Sequence, residues 1–322
     1  MKKRSVDLRG GNAPILDIVS YGRGGGSGRF TKEQLELIAR TVSRTPEVMV
    51  KVSGGARSLR GASAHFGYIS RQASLDLETD EGGAVRDKDG LKGLIRDWDL
   101  DIEVITPSAR GIKKPVRGPK LVHNLIFSMP AGTPADKVLK AVKKLAQEEW
   151  ALKHRYAMVL HTDEPHPHVH VVLKARSEQG YRLNIRKATL RDWRQRFATH
   201  LRELGVNANA TERMLRAQPQ GSLSNGHYRL RQRIPEGMSC IRGKQSEREI
   251  SSLEEHSSQS IAIQSGWRKV SADLKRFGER QLADQVDGYV DSIRLGRSER
   301  QLQFPAVPDE KQHTSQHQKL TR

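Results

Sequence analysis

The sequence predicts an α+β protein in which a mostly antiparallel sheet carries helices packed on one face. Strand patterns at 48–53, 121–128, 156–160 and 168–173 alternate or are continuously apolar, and helical spacing separates the first three. A short connection with two prolines joins the last two strands, which favours a hairpin. A further short strand is expected at 181–185, so the order is β-α-β-α-β-β-β-α.

The helices between these strands have their own sequence signals. Residues 58–72 show helical spacing after a pair of glycines, and 190–204 form a helical pattern that a glycine follows. Thr133 is predicted as the N-cap of a helix over 134–152, with proline at its first position. Residues 76–118 are polar and glycine-rich, with one helical patch, and are expected to be an insertion or irregular region.

The composition divides the chain into three parts. Residues 1–45 contain a basic, glycine-rich run and are predicted to be a flexible arm, with a short helix at 31–42. Residues 46–217 are the predicted folded domain. Residues 218–322 are basic and polar, with a helix expected at 261–293 and a disordered end.

The formal net charge of +19 indicates a polyanionic partner, most commonly nucleic acid. A single cysteine excludes an internal disulfide framework and is typical of a reducing cytoplasm. No apolar run approaches the roughly 20 residues that span a bilayer, so stable membrane insertion is not expected.

The segment His161-Thr-Asp-Glu-Pro-His-Pro-His-Val-His170 carries the clearest chemical signal. His168 and His170 alternate on a strand and therefore point to one face, and the hairpin returns His161 beside them. Three imidazoles from two strands predict a divalent-metal site with open coordination positions. His166 lies between two prolines. It and Glu164 are either bystanders or groups that support the metal ligands from outside.

Three motifs resemble the relaxase and mobilisation nuclease family. They are His65-Phe-Gly-Tyr68-Ile-Ser-Arg71, Phe127-Ser-Met-Pro-Ala-Gly132, and the pattern His-x-Asp-x-x-x-x-His-x-His followed by Val-Val. Members of this family are HUH-type endonucleases that start plasmid conjugation, and the T-DNA border endonucleases are related. The resemblance covers about 48–215, with the motifs in the order of the family, and implies an HUH endonuclease-like fold.

The resemblance implies a role for each motif. Tyr68 would be the nucleophile on a helix after the first strand, and Ser128 would help to hold DNA near the scissile phosphate. The three histidines would bind the metal, with Mg²⁺ or Mn²⁺ as the expected cofactor, and Asp163 would orient or polarise a histidine. Tyr156 and Tyr181, which flank the histidine strands, are the rival nucleophiles.

The implied reaction is site- and strand-specific nicking at an origin of transfer. The tyrosine oxygen would attack phosphorus, release a 3′-hydroxyl and leave a 5′-phosphotyrosyl bond, and the reverse reaction would rejoin the strand. Family members recognise single-stranded and hairpin DNA. Basic side chains expected to follow the DNA backbone are Arg57, Arg60, Arg71, Arg186 and Lys187.

Further partners follow from the resemblance and from the basic tail. They are accessory mobilisation proteins and a type IV secretion coupling protein. The expected location is the cytoplasm, with transfer of the protein alongside the DNA strand left open.

Two alternatives remain open from the sequence. One is an HUH-type replication initiator or transposase with the same chemistry, although the Phe127–Gly132 motif favours mobilisation. The other is a nucleic-acid-binding protein whose histidines hold a structural metal. A zinc protease is not expected, because no His-Glu-x-x-His motif is present.

Overall fold

The computed structural model describes residues 29–100, 118–212 and 246–302, together with Leu16, Ile18, Leu215 and Arg216. In the last segment, side chains are described for 261–293. The chain divides into two compact units. One contains residues 44–211, and the other combines 14–43 with 212–322.

The first unit is built on a six-stranded sheet in which every neighbouring pair is antiparallel. The strands are β1 (Met49–Gly54), β2 (Leu77–Thr79), β3 (Ala84–Val85), β4 (Val122–Ser128), β5 (Tyr156–His161) and β6 (His168–Lys174). Their order across the sheet is β1-β4-β6-β5-β2-β3. The two strands that carry the histidines therefore lie at the centre.

Seven helices occur within the described residues. In chain order they are α1 (Lys32–Val42), α2 (Leu59–Ile69), α3 (Lys88–Asp97), α4 (Ala135–Glu149), α5 (Lys187–Glu203), α6 (Ser246–Arg276) and α7 (Arg280–Leu302). Helices α2 to α5 belong to the first unit and cover its sheet. The architecture confirms the predicted α+β class.

Helices cover both faces of this sheet, so the prediction of helices on one face is wrong. In β6, Val169, Val171 and Leu173 join a core with α4 and α5, whereas Val172 joins a second core with α2 and α3. The reason is visible in the strand itself. A run of consecutive apolar residues has an apolar side chain for each face, and both faces must then be covered.

Two local predictions are corrected. Thr133 is not the N-cap of α4, because its hydroxyl donates to the carbonyl of Pro130 at 2.9 Å and closes the preceding turn. Pro134 occupies the cap position without a side-chain hydrogen bond. Residues 181–185 do not form a strand, and only an isolated bridge joins Arg176 to Arg182 there.

The region 76–100 is more regular than expected. Strands β2 and β3 form a short hairpin that extends the sheet beside β5, and α3 follows. The guanidinium of Arg155 forms ion pairs with Asp80, Glu81 and Asp97, which ties the hairpin and α3 to the start of β5. The remainder of the predicted insertion, 101–117, lies outside the described residues.

The second unit has its own core, formed by α1, α6 and α7 together with Leu16 and Ile18. Gly266 of α6 permits a close approach here, since a Cβ on it would lie 2.1 Å from the carbonyl oxygen of Ile18. Thr31 caps α1 in a reciprocal capping box with Gln34, at the start of the helix predicted for 31–42. The prediction treated these N- and C-terminal segments as separate regions, but they share one core.

The helix expected at 261–293 is divided into α6 and α7. Gly278, with φ of 91°, lies at the break, where a residue with a side chain would be strained.

The segments expected to be flexible or disordered at the two ends fall mostly outside the described residues. No helix in the described part of the chain is long and apolar enough to cross a membrane.

Candidate active site

Three histidines meet on the face of the sheet that α2 covers. His161, at the end of β5, pairs in register with His168 at the start of β6, and His170 follows on the same face. The ring centroid of His161 lies 5.2 Å from that of His168 and 4.5 Å from that of His170. One nitrogen from each ring lies within 4.8 Å of the other two. This spacing suits a single bound cation.

The hydrogen bonds of the rings leave nitrogens available for a metal. Nε2 of His161 donates to the carbonyl of Ile69 at 2.7 Å, and Nδ1 of His168 donates to the carbonyl of His166 at 3.1 Å. Nδ1 of His170 is buried without a hydrogen-bond partner among the described residues. A buried lone pair without a partner is costly in an apolar setting and becomes useful once it binds a cation.

The electrostatics favour a neutral ring at His170. Burial lowers the pKa of His170 to about 3, and the neighbouring His161 and His168 add to this effect. A neutral imidazole is the form that binds a metal. The donor set therefore fits a divalent cation with three nitrogen ligands and open positions.

Tyr68 stands next to this triad, in the last turn of α2. Its ring lies edge-on to His170, with centroids 6.5 Å apart, and its side chain is 61% exposed. Phe66 and Ile69 of the same helix are fully buried against the sheet, which fixes the helix in place. An exposed hydroxyl-bearing ring on an anchored helix is accessible to a large substrate.

The rival tyrosines are not beside the triad. Tyr156 is 5% exposed in the core on the opposite face, and burial raises the pKa of its hydroxyl. Tyr181 is exposed, but it lies beyond the end of β6 that is remote from His168, about 20 Å of strand away.

Asp163 contacts an arginine and does not hydrogen-bond a histidine. Its carboxylate forms an ion pair with Arg71, while its Oδ1 lies 3.9 Å from Nδ1 of His161, too far for a hydrogen bond. A backbone hydrogen bond and the charge of Arg71 hold the pKa of Asp163 below its usual value. The expected role in orienting a histidine stays a prediction.

His166 and Glu164 lie outside the triad. The His166 side chain is exposed, and its Nε2 lies 3.4 Å from Oε2 of Glu164. Only the backbone carbonyl of His166 contacts a triad member, His168. Their function as supporting groups stays a prediction.

Ser128 is placed beside the histidines by the register of the sheet. It pairs with His168 across β4 and β6, and with Met49 across β1 and β4. The side chains of Met49, Ser128, His168 and His161 therefore form one row on one face. Ser128 is buried, whereas Met49 is 44% exposed.

The basic residues expected to bind DNA do not form one group. Arg71 is at the triad, while Arg57 and Arg60 are exposed near the start of α2, where Arg57 donates to the carbonyl of Gly118. Arg186 and Lys187 begin α5, which packs on the opposite face. That end of α5 is also remote from the histidines, because the α5 residue Trp193 packs on Trp150, which contacts the first residue of β5.

His65 is a site residue that the sequence analysis did not assign. Its ring stacks against Tyr68 at a centroid distance of 6.3 Å, and its buried Nε2 has no hydrogen-bond partner among the described residues. Burial lowers its pKa. The available signal was its spacing from Tyr68, since residues three apart on a helix are neighbours.

Comparison with known proteins shows a resemblance over part of the chain. A family model described as relaxase, MobA/VirD2-like, nuclease domain matches residues 91–206. This segment contains the three histidines, Asp163 and Ser128, and it begins after Tyr68.

Two relatives are T-DNA border endonucleases VirD2. The protein from Rhizobium radiobacter is 23% identical over 202 residues, covering 58% of this chain and 47% of the relative. The protein from Rhizobium rhizogenes is 26% identical over 149 residues, covering 42% of this chain and 32% of the relative. The chain thus spans 32% to 47% of the length of these relatives.

Two solved structures show weaker likenesses. The conjugative relaxase TrwC in complex with oriT DNA has a TM-score of 0.34 at 12% identity, covering 67% of this chain and 97% of that one. A structure described as "Molecular Basis of Vancomycin Resistance Transfer in Staphylococcus aureus" has a TM-score of 0.31 at 15% identity, covering 52% and 99%. Residues 91–206 of the chain therefore resemble the nuclease domain of the relaxase and mobilisation nuclease family.

Proposed function

We propose that this protein is a conjugative relaxase that nicks one DNA strand at an origin of transfer. Tyr68 is the nucleophile, and the product is a 5′-phosphotyrosyl bond that a later reverse reaction resolves. The observation that carries this proposal is the exposed Tyr68 ring lying against His170 of a metal-competent triad. The sequence relatives, named as T-DNA border endonucleases, support the same chemistry.

The reaction exchanges one phosphate ester for another. The Tyr68 oxygen forms a bond to phosphorus while the bond from phosphorus to the 3′-oxygen breaks. The phenolic proton leaves, and the released 3′-oxygen takes up a proton. Because the number of ester bonds is conserved, rejoining needs no external energy source. For the attack on phosphorus, the protein must hold Tyr68 in line with the scissile bond.

The triad would hold Mg²⁺ or Mn²⁺, with His161, His168 and His170 as ligands. The carbonyls of Ile69 and His166 hold the other nitrogens of His161 and His168. Such a cation, when bound, neutralises charge on the non-bridging oxygens of the scissile phosphate. Since all three ligands are neutral, the ion keeps its full positive charge.

The substrate of this proposal is single-stranded DNA next to a hairpin. The net charge of +19 supplies the electrostatic attraction. Arg57 and Arg60 are exposed near the start of α2, and the buried Ser128 pairs with His168 across the sheet. Arg186 and Lys187 would contact DNA only beyond the immediate site. Accessory mobilisation proteins and a type IV secretion coupling protein are the further partners of this proposal.

The test is formation of a covalent DNA adduct. The purified full chain is incubated with Mn²⁺ or Mg²⁺ and labelled single-stranded origin oligonucleotides, and the products are separated under denaturing conditions. We expect a labelled protein band that requires metal. Tyr68→Phe removes this band, whereas Tyr181→Phe, which alters a similarly exposed tyrosine far from the triad, keeps it.

Two results would contradict the proposal. Metal-dependent cutting without an adduct would indicate water as the nucleophile. Binding of DNA without any cutting would favour a nucleic-acid-binding protein with a structural metal.

A further inference from the structure

Two contacts tie the helix that carries Tyr68 to the hairpin that carries the histidines. The carbonyl of Ile69 accepts a hydrogen bond from Nε2 of His161 at 2.7 Å. Arg71 forms an ion pair with Asp163, which lies two residues after His161. These contacts flank Tyr68 on its C-terminal side, and the ion pair joins residues separated by 92 positions.

The chain adopts an unusual conformation to bring Arg71 to this place. Arg71, Gln72 and Ala73 have φ values of 52°, 60° and 69°, and none of them is glycine. Left-handed backbone is unfavourable for residues with a side chain, so three in succession need compensating interactions.

Hydrogen bonds back to the end of α2 supply this compensation. The amide of Gln72 donates to the carbonyl of Gly67 at 2.8 Å, and the amide of Leu75 donates to the carbonyl of Ser70 at 3.0 Å. The amide of Ala73 also donates to the hydroxyl of Ser70 at 3.1 Å. The turn is thus a defined structure that begins three residues after Tyr68 and follows the end of the helix beside the histidine hairpin.

The partner of Arg71 argues against a simple contact with DNA phosphate. Its guanidinium is already paired with a carboxylate, so a phosphate would have to displace Asp163. Asp163 in turn makes no hydrogen bond to a histidine, because its Oδ1 lies 3.9 Å from Nδ1 of His161. Arg71 and Asp163 therefore pair with each other across the gap between α2 and the β5–β6 hairpin.

We infer that Arg71 and Asp163 are positioning residues, and that their ion pair fixes the last turn of α2, and with it the Tyr68 hydroxyl, relative to the histidine triad. The inference rests on the proposed function, in which Tyr68 is the nucleophile. An in-line attack is sensitive to small displacements, and a shift of about 1 Å can cost about a hundredfold in rate.

The experiment is a double-mutant cycle on single-turnover cleavage at saturating oligonucleotide. Arg71→Ala and Asp163→Asn should each slow adduct formation by about tenfold to a hundredfold. The double variant should be no more than about twofold slower than the slower single variant, because both remove the same contact. Arg71→Lys, which keeps the charge, should retain more activity than Arg71→Ala. The reciprocal exchange Arg71→Asp with Asp163→Arg should recover part of the lost rate.

A second ion pair of the same type provides the control. Arg86 and Asp76 are 3.1 Å apart and exposed near the edge hairpin. Arg86→Ala and Asp76→Asn should change thermal stability about as little as the test variants and leave the cleavage rate unchanged. DNA affinity, measured in the Tyr68→Phe background, and Mn²⁺ affinity should stay within about threefold for every variant.

Each other outcome overturns the inference and assigns a different role. If Arg71→Ala weakens DNA binding tenfold or more but cleaves at full rate when saturated, Arg71 is a phosphate ligand. If Asp163→Asn alone weakens Mn²⁺ binding, Asp163 acts on His161. If the test variants match the Arg86 and Asp76 controls, the ion pair has no role in positioning.

The proposed function can be judged separately in the same experiment. A wild-type protein that forms no adduct overturns the proposed function and the inference together. A wild-type protein that forms the adduct, with variants that form it equally fast, overturns only the inference.

Discussion

The two faces of the central sheet differ in how completely helices cover them. On the face of α4 and α5, Phe127, Trp150, Trp193 and Phe197 are buried in a continuous aromatic and aliphatic core. On the face of α2 and α3, the core ends before the strand ends do, and His161 and His168 follow where it stops. The first face stabilises the domain, and the second carries the candidate site at its uncovered end.

This difference explains where polar residues are tolerated. Along β6, three successive apolar side chains point to the face of α4 and α5, whereas His168 and His170 precede Val172 on the face of α2 and α3. Burying an imidazole without a hydrogen-bond partner costs free energy. A position at the edge of the covered region limits this cost, and binding of a ligand can offset the rest. A site at the end of strands also leaves room for a polymeric substrate.

The largest expected effect tests how much the face covered by α4 and α5 stabilises the domain. Phe127 is fully buried and packs edge-on against Phe197 and Trp150, with centroids 5.4 Å and 6.2 Å apart. Phe127→Ala should lower the free energy of unfolding by about 3–5 kcal/mol, measured by urea denaturation. Tyr68→Ala, the matched truncation on the other face, should cost less than about 1 kcal/mol because its ring is mostly exposed. Equal losses would mean that the two faces contribute alike to stability.

The next effect concerns the proposed metal ligands at the end of the α2 face. His170→Ala removes one of the three proposed nitrogen ligands and should weaken Mn²⁺ binding by about a hundredfold or more, measured by titration calorimetry. His166→Ala keeps the backbone carbonyl that holds His168 and should change Mn²⁺ affinity by less than about threefold. A large loss in His166→Ala would instead show that its side chain supports the site.

The smallest effect is a pH dependence of the free energy of unfolding, which arises from His123 on the face of α4 and α5. Burial, with added repulsion from Lys120 and Arg182, lowers the pKa of His123 to about 4. The unfolded chain therefore binds a proton near pH 6.5 that the native protein rejects, so stability is lost as the pH falls from 6.5 towards 4.

His123→Gln should remove about 1 kcal/mol of the stability lost between pH 7 and pH 5, after allowance for partial exposure of the ring. The measurement is the free energy of unfolding in urea at both pH values, without metal. Identical pH dependence in the variant and the wild type would exclude this contribution.

The sequence predicted those elements whose patterns are long enough to show a period. Strands β1, β4, β5 and β6 have six or seven residues each, and all four lie within one residue of their predicted bounds. Strands β2 and β3 have three and two residues, too few to show alternation. Their place in the sheet depends on pairing with β5, which a local pattern does not contain.

The other differences have two causes, packing between distant segments in one case and a local competing hydrogen bond in the other. The core of the second unit joins Ile38 of α1 to Trp267 of α6, and no local pattern connects them. Thr133 had the right residue type for an N-cap, but its hydroxyl found an acceptor in the preceding turn. Capping preference is a weak local signal that a nearby competing hydrogen bond can override.

The sequence by itself determined the histidine triad, because all three residues belong to one hairpin. A two-residue side-chain period and the register of neighbouring strands fix which imidazoles share a face, and both depend on local backbone hydrogen bonds. A resemblance between motifs pointed to Tyr68.

Only the tertiary structure decided that Tyr68 lies against His170 and that Arg71 pairs with Asp163. Those contacts depend on burial of Phe66 and Ile69 against strands distant in the chain, together with a left-handed turn. Such contacts are set by packing between elements, which no spacing in the sequence records.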